Sequence, residues 1–371
     1  MRSECSSLAR LAIGIVLPLV LFCPHAQTRA RTCAASEQGI PSAEAPVAKG
    51  NRILGLDVNP PQDGDFPRAF DLAKSTGMQV VSLSLDWDDI ETAPGKYDFH
   101  LLAIANAFYP AHHVALDLFI RPVDTNGEHL PKDLQGRALD SPIVIERFNK
   151  MIDKALAQIP ALHLNLLSIG NEVDLGLGQD EKPWKEYDTF FRETRDHVKS
   201  VRIGVKVGCS ATLYGLIGKA KERMRLINGL SDIVIVTYYP INEDFTVKSP
   251  QIVPQEIDQV IRVYPNQTIY FSEIGYPSSP VLGSSEEKQK EFIDEVFKAW
   301  DQNATQIPYV SFTWLSDLPM STVAHFTEYY HLKDNKFQEY LRTLGLRTYE
   351  GHGVDKPAFV ELTWQAKARG W

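Results

Sequence analysis

The sequence predicts an α/β protein, a single (β/α)8 barrel of the TIM type, and three observations predict it. From Asn51 onward, short β-branched or apolar runs alternate with amphipathic stretches, roughly once every 35 to 40 residues, as repeated βα units around a parallel sheet do. Eight such runs occur, and eight strands each followed by helix-forming sequence fit a closed barrel better than an open doubly wound sheet. No GxGxxG follows the first run, so the mark of a dinucleotide-binding sheet is missing.

In chain order the strand candidates are residues 53–58, 79–86, 114–120, 164–169, 205–210, 232–238, 267–272 and 309–314. Helix candidates between them include 142–159, 185–201, 214–228 and 285–301. In the last of these, Phe292, Val296 and Trp300 recur every fourth residue, which makes one face apolar. The stretch before the barrel divides in two. Arg2 and Arg10 precede an apolar run from Leu11 to Cys23, broken by Pro18 and followed by Pro24-His25-Ala26, the pattern of an export signal over residues 1–26. Residues 27–49 are rich in Ala, Ser, Glu and Pro and read as a flexible linker, leaving 50–371 as the catalytic domain. A secreted or periplasmic protein is therefore expected.

Composition narrows the partners. The 371 residues are 44% hydrophobic and 23% charged, with a formal charge of −9, and no basic run interleaves with aromatics. Nucleic acid is an unsuitable partner for such a surface. No apolar segment beyond the signal is long enough to span a bilayer, and monomer is the default state. Cys33 and Cys209 would survive signal cleavage and allow one disulfide, although Cys209 lies in an apolar strand-like stretch and reads as a buried thiol. Neither CxxC nor HExxH occurs, so no metal is expected, and no organic cofactor is called for.

In a barrel of this kind the chemistry sits at the C-terminal ends of the strands. The fourth run ends in Gly170-Asn171-Glu172-Val173-Asp174, and the seventh in Ser272-Glu273-Ile274-Gly275-Tyr276-Pro277. A carboxyl set in so apolar a segment is costly unless it is paired or functional. Glycoside hydrolysis wants two: a protonated one to help the leaving oxygen depart, and an ionised one to attack the anomeric carbon. The bland reading is two buried structural salt bridges, which serves for either Glu alone better than for both.

These two segments together resemble clan A glycoside hydrolases. The resemblance implies Glu172 as acid/base, Glu273 as nucleophile, and Asn171 as a hydrogen-bond partner of the sugar 2-hydroxyl. It further implies a Tyr at the end of strand six contacting the nucleophile, for which Tyr238 and Tyr239 are both candidates, and Trp314 as the floor of a sugar subsite. Trp87, in a stretch similar to the clan's second βα loop, is expected to line a subsite, and Asp57 and Asn59 at the end of strand one to meet sugar hydroxyls. The run from Ser272 to Ser279 is nearest in motif to families 17 and 53. One departure stands out: strand two carries no Arg, and Arg121 after strand three either reaches inward in its place or pairs with Glu128 or Asp124. His325 follows strand eight in an aromatic-rich loop, where it meets substrate or stays on the surface.

The expected activity is a retaining β-glycoside hydrolase, endo-acting on an oligo- or polysaccharide. Its rival is a catalytically inactive barrel that binds carbohydrate, although a binder needs neither Glu172 nor Glu273. A metal-dependent hydrolase would want His/Asp clusters at several strand ends, and an aldolase an isolated strand-end Lys; the strand ends supply neither.

Overall fold

The computed structural model describes residues 46–371, so the signal-peptide reading, Cys33 and most of the linker lie outside the described residues. Eight parallel strands form the barrel: β1 (Ile53–Leu56), β2 (Val80–Asp86), β3 (Ala115–Arg121), β4 (Leu164–Ile169), β5 (Val207–Gly208 with Ser210–Thr212), β6 (Val234–Tyr238), β7 (Ile269–Ile274) and β8 (Tyr309–Phe312). The hydrogen-bonded order begins at Ser210–Thr212, runs through β6, β7, β8, β1, β2, β3 and β4, and ends at Val207–Gly208. Its two ends are the halves of β5, joined through Cys209, so the ring is closed. Cys209 is a buried free thiol.

Strand alternation sorts the side chains into two cores. Val80, Phe119, Leu166, Ile233, Ile235, Tyr270 and Tyr309 fill the barrel interior, while Leu83, Leu118, Leu167, Val236 and Phe271 face the helices. Apolar side chains on both faces, alternating along each strand, satisfy the period-two rule of a pleated sheet buried on both sides. Outside lie α1 (Phe66–Ser75), α2 (His100–Phe108), α3 (Pro142–Ala157), α4 (Glu181–Val201), α5 (Lys221–Leu230), α6 (Val253–Val263) and α7 (Glu286–Gln302). In α7, Ser285 caps the first turn by accepting from the Lys288 N–H, and Phe292, Val296 and Trp300 are buried as the spacing requires. Each such side chain contributes about 1.5–3 kcal/mol through burial.

The structure differs from the sequence reading in three places. The helix expected over 214–228 is two, Leu213–Ile217 and α5, separated at Gly218. Residues 46–49, assigned by composition to the linker, are tied to the barrel floor: the Lys49 N–H donates to the Arg369 carbonyl at 2.8 Å, and Arg52 donates to the Val47 carbonyl at 2.6 Å. A main-chain hydrogen bond and the Arg52 guanidinium hold them, and such contacts leave no trace in composition. Finally, β8 is not followed directly by its outer helix. Two helices, α8 (Met320–Tyr329) and α9 (Asn335–Arg342), come first, and α10 (Pro357–Arg369) then packs beside α7.

Candidate active site

A cavity of about 750 Å³ opens at the C-terminal ends of the strands, and both sequence-predicted carboxyls line it. That volume is in the range of a small-molecule site.

Glu172 reaches it through a sharp turn. Gly170 has φ +94°, and a Cβ there would come within 2.7 Å of Val173 Cγ1, so this position requires Gly. Glu172 itself is left-handed at φ 42°, a conformation non-glycine residues adopt rarely and often at functional sites. The following Asp174 pins the turn to β5 by accepting from the Thr212 N–H at 2.8 Å and the Thr212 hydroxyl at 2.6 Å. The Glu172 carboxyl accepts from Thr237 Oγ1 at 2.6 Å and from Thr125 Oγ1 at 2.9 Å. Burial nevertheless pushes it up to about 7, outweighing the two hydroxyls, and like-charge repulsion from Asp174 and Asp124 adds to the rise.

Glu273 arrives by a different device. Tyr270 points into the barrel and Phe271 out, so unbroken alternation would send Glu273 outward. The register of β7 slips against both neighbours: Val236 pairs with Phe271, but Thr237 pairs with Glu273. This bulge turns the carboxyl into the pocket, opposite Thr237. Glu273 Oε2 accepts from Tyr239 Oη at 2.9 Å. A Cβ on Gly275 would come within 2.9 Å of the Tyr239 ring, so Gly275 leaves the space in which that ring lies. Burial, then the charges of Glu172 and Asp57, push Glu273 up to about 8. No cation pairs with either carboxyl among the described residues, and burial raises both.

Alternation settles the tyrosine question. Tyr239 continues the inward series of Ile233, Ile235 and Thr237. Tyr238 faces the helices, fully buried, and donates to Glu256 Oε2 on α6 at 2.8 Å, so it is not a substrate contact. Trp87 is corrected likewise. It is fully buried, its indole donates to Glu91 Oε2 at 3.1 Å, and its ring meets Phe148 edge-on, because the short helix after β2 turns it under the loop. Asn59 is buried and exchanges hydrogen bonds with the Ser316 backbone, locking two loops together and meeting no sugar.

The remaining expected residues line the pocket. Asn171 is fixed from both ends, donating to Asp124 Oδ1 and accepting from Ser210 Oγ, each at 3.0 Å. Asp57 accepts from the Ser82 N–H at 2.9 Å, and burial pushes it up to about 6. Trp314 lies nearly parallel to Phe326, with centroids 6.2 Å apart. His325 borders the cavity. Arg121 does reach inward, but its charge is spent on Asp86 at 2.7 Å and Asp124 at 3.0 Å; it makes no bridge to Glu128. Sequence reasoning missed the hydroxyls of Thr125 and Thr237, which carry no pattern of their own. It also missed Phe326 and Tyr329 on α8, Tyr330 just after it, and Phe337 and Tyr340 on α9, for which the aromatic density after strand eight was the available signal.

No family model matches this chain, and no curated protein matches its sequence. Solved structures do match in fold. An exo-β-1,4-mannosidase from Opitutaceae bacterium strain TAV5 superposes with a TM-score of 0.65 at 18% identity, over 86% of this chain and 59% of that one. A GH5_18 protein from Bifidobacterium longum, solved in complex with Manb1-4GlcNAc, gives 0.64 at 13% identity, over 85% and 78%. A family 39 glycoside hydrolase from Bacteroides cellulosilyticus WH2 gives 0.59 at 15% identity, over 86% and 64%. The chain thus spans about three-fifths of the length of the mannosidase it resembles. The fold these likenesses share is the (β/α)8 barrel.

Proposed function

We propose that the protein is a retaining β-glycoside hydrolase, with Glu172 as acid/base and Glu273 as nucleophile. The observation that carries this reading is the convergence on Thr237 of two half-buried carboxyls with no cation partner among the described residues: Glu172 bonds its hydroxyl, and Glu273 sits opposite it in register. Retention needs the two carboxyls about 5–5.5 Å apart, so that one attacks directly, whereas inversion needs room for a water between them. Glu172 protonates the departing oxygen while Glu273 bonds to the anomeric carbon. Glu172, now ionised, then takes a proton from the water that releases the sugar. Tyr239 holds the Glu273 carboxylate and lets go of part of its charge as the covalent bond forms. The substrate is a carbohydrate, as the names of the structural neighbours are consistent with. The basic and then apolar N-terminal run supports action outside the cytoplasm.

The test is sugar release from a panel of β-linked glucans, mannans, galactans and xylans with their aryl glycosides, by the wild type and by Glu273→Gln. Cleavage of one substrate with net retention, abolished in the variant, is the expected result. Binding without cleavage by the wild type would replace this reading with the inactive barrel.

A further inference from the structure

In the reaction proposed above, Glu172 gives its proton to the leaving oxygen and later regains one from water. A half-buried carboxyl that alternates in this way needs a neighbour that donates a hydrogen bond in one state and accepts in the other. A hydroxyl does both, since it carries one hydrogen and two lone pairs and rotates freely. Thr125 is placed for the task, with Oγ1 2.9 Å from Glu172 Oε2 and 3.3 Å from Asp124 Oδ1.

Asp124 is set to stay ionised. It is fully buried in a tight hairpin after β3, where Val123–Asp124 pairs with Gly127–Glu128. Its Oδ1 also accepts from the Thr125 N–H at 2.8 Å and from Asn171 Nδ2 at 3.0 Å. Its Oδ2 accepts from Tyr329 Oη at 2.5 Å and pairs with Arg121 at 3.0 Å. Burial acts to raise this carboxyl, but Arg121 and then the three donors hold it below the usual carboxylate range. The hairpin is locked to the turn that carries Glu172. The Asn171 N–H donates to the Val123 carbonyl at 3.0 Å, and a Cβ on Gly176 would collide with the Asp124 carbonyl.

The titratable groups facing Glu172 are Asp174 on its own turn, Asp124, Glu273 on β7, Tyr239 after β6, and Tyr330 and Tyr340 from beyond β8. Asp124 in turn faces Arg121, Asp86, His129, Tyr329 and Tyr330. Among the described residues, Asp124 is the carboxylate that shares a hydroxyl with Glu172.

Resting on the hydrolase reading above, we infer that Thr125 and Asp124 are positioning residues that serve Glu172 in both of its protonation states. While Glu172 is protonated, it donates to Thr125 Oγ1, and the Thr125 hydrogen turns to Asp124. Once Glu172 has given up its proton, the same hydrogen turns back to the new carboxylate. No proton reaches Asp124, which supplies a fixed negative charge. The same Asp124 oxygen holds the Asn171 amide, so one buried carboxylate aligns the acid/base and its neighbour together.

The experiment compares Thr125→Ser and Thr125→Val on whichever glycoside the panel identifies and on its dinitrophenyl glycoside. Thr125→Ser keeps the hydroxyl and should stay within about threefold of the wild-type kcat, while Thr125→Val should lose roughly tenfold or more with little change in KM. In the first step with the dinitrophenyl glycoside, whose departing oxygen needs no proton, the Thr125→Val loss should nearly vanish. Equal rates for the two variants, or an equal loss on both substrates, overturn the inference while leaving the hydrolase intact. No sugar release by the wild type from any member of the panel ends both. A second measurement is the pH profile of kcat/KM for Asp124→Asn, alone and combined with Thr125→Val. Asp124→Asn should move the alkaline limb to lower pH, and by less in the combined variant, because part of the coupling runs through the hydroxyl. Equal shifts in both backgrounds would reduce Asp124 to a bare charge and overturn the alternating hydroxyl. Should Asp124→Asn not fold, the two Thr125 variants decide alone.

Discussion

The ends of β4 and β7 each deliver one carboxyl to the same pocket, and they do so by opposite means. At β4 the strand has stopped, and a glycine followed by a left-handed Glu172 swings the side chain inward. At β7 the strand continues, and a bulge rotates Glu273 without leaving the sheet. The surroundings differ as much. Glu172 has two threonine hydroxyls and the charges of Asp174 and Asp124, whereas Glu273 has one phenol and the charges of Glu172, Asp57 and Asp124. A carboxyl on a loop, held by two hydroxyls, is suited to carry a proton back and forth. A carboxyl on a rigid strand, held by one directed donor, is suited to attack.

The largest effects test that division directly. Glu273→Gln should lower kcat by roughly 10⁴-fold or more on every substrate, because no leaving group dispenses with the nucleophile. Glu172→Gln should cost roughly 10²–10⁴-fold on natural glycosides and far less in the first step with dinitrophenyl glycosides, whose departing oxygen needs no proton. Equal losses for both variants across leaving groups would erase the distinction between the two strand ends.

Smaller effects come from the partners. Tyr239→Phe removes a hydrogen bond to a charged group, and a loss of roughly 10- to 100-fold in kcat is expected. Tyr238→Phe, one residue away but facing α6, should leave kcat/KM nearly unchanged. Thr237→Val takes a donor from Glu172, which raises that carboxyl further, so the alkaline limb of the rate profile should move to higher pH. A shift to lower pH would mean that Glu172 is not the group titrating there.

The smallest effect is on stability. Glu273 is raised to about 8 in the folded protein from an ordinary value of 4.5. The folded state therefore binds more protons than the unfolded one between those values, and stability falls as pH rises through them. Glu273→Gln removes this penalty. Its Tm should exceed that of the wild type near pH 8 and converge with it near pH 4; a constant difference would show that Glu273 is not held up by burial.

Much of this was legible in the chain. The eight strands fell within a few residues of their expected places, because a parallel strand buried on both faces must be a short, continuous apolar run. Glu172 and Glu273 could be singled out for the same reason, since a carboxyl ending such a run is conspicuous. The two helices beside the pocket, α8 and α9, were not legible, because aromatic density after strand eight reads equally as core.

The sequence by itself determined the barrel, its closing order and the two strand ends that carry acid groups, because apolar periodicity is a local property of the chain. Only the tertiary structure decided that Tyr239 and not Tyr238 meets Glu273, that Trp87 and Asn59 serve packing, and that α8 and α9 line the pocket. Those outcomes depend on a one-residue register shift in β7 and on contacts between loops more than two hundred residues apart, such as Asn126 with Tyr329. Neither a register shift nor a long-range contact leaves a periodic mark along the chain.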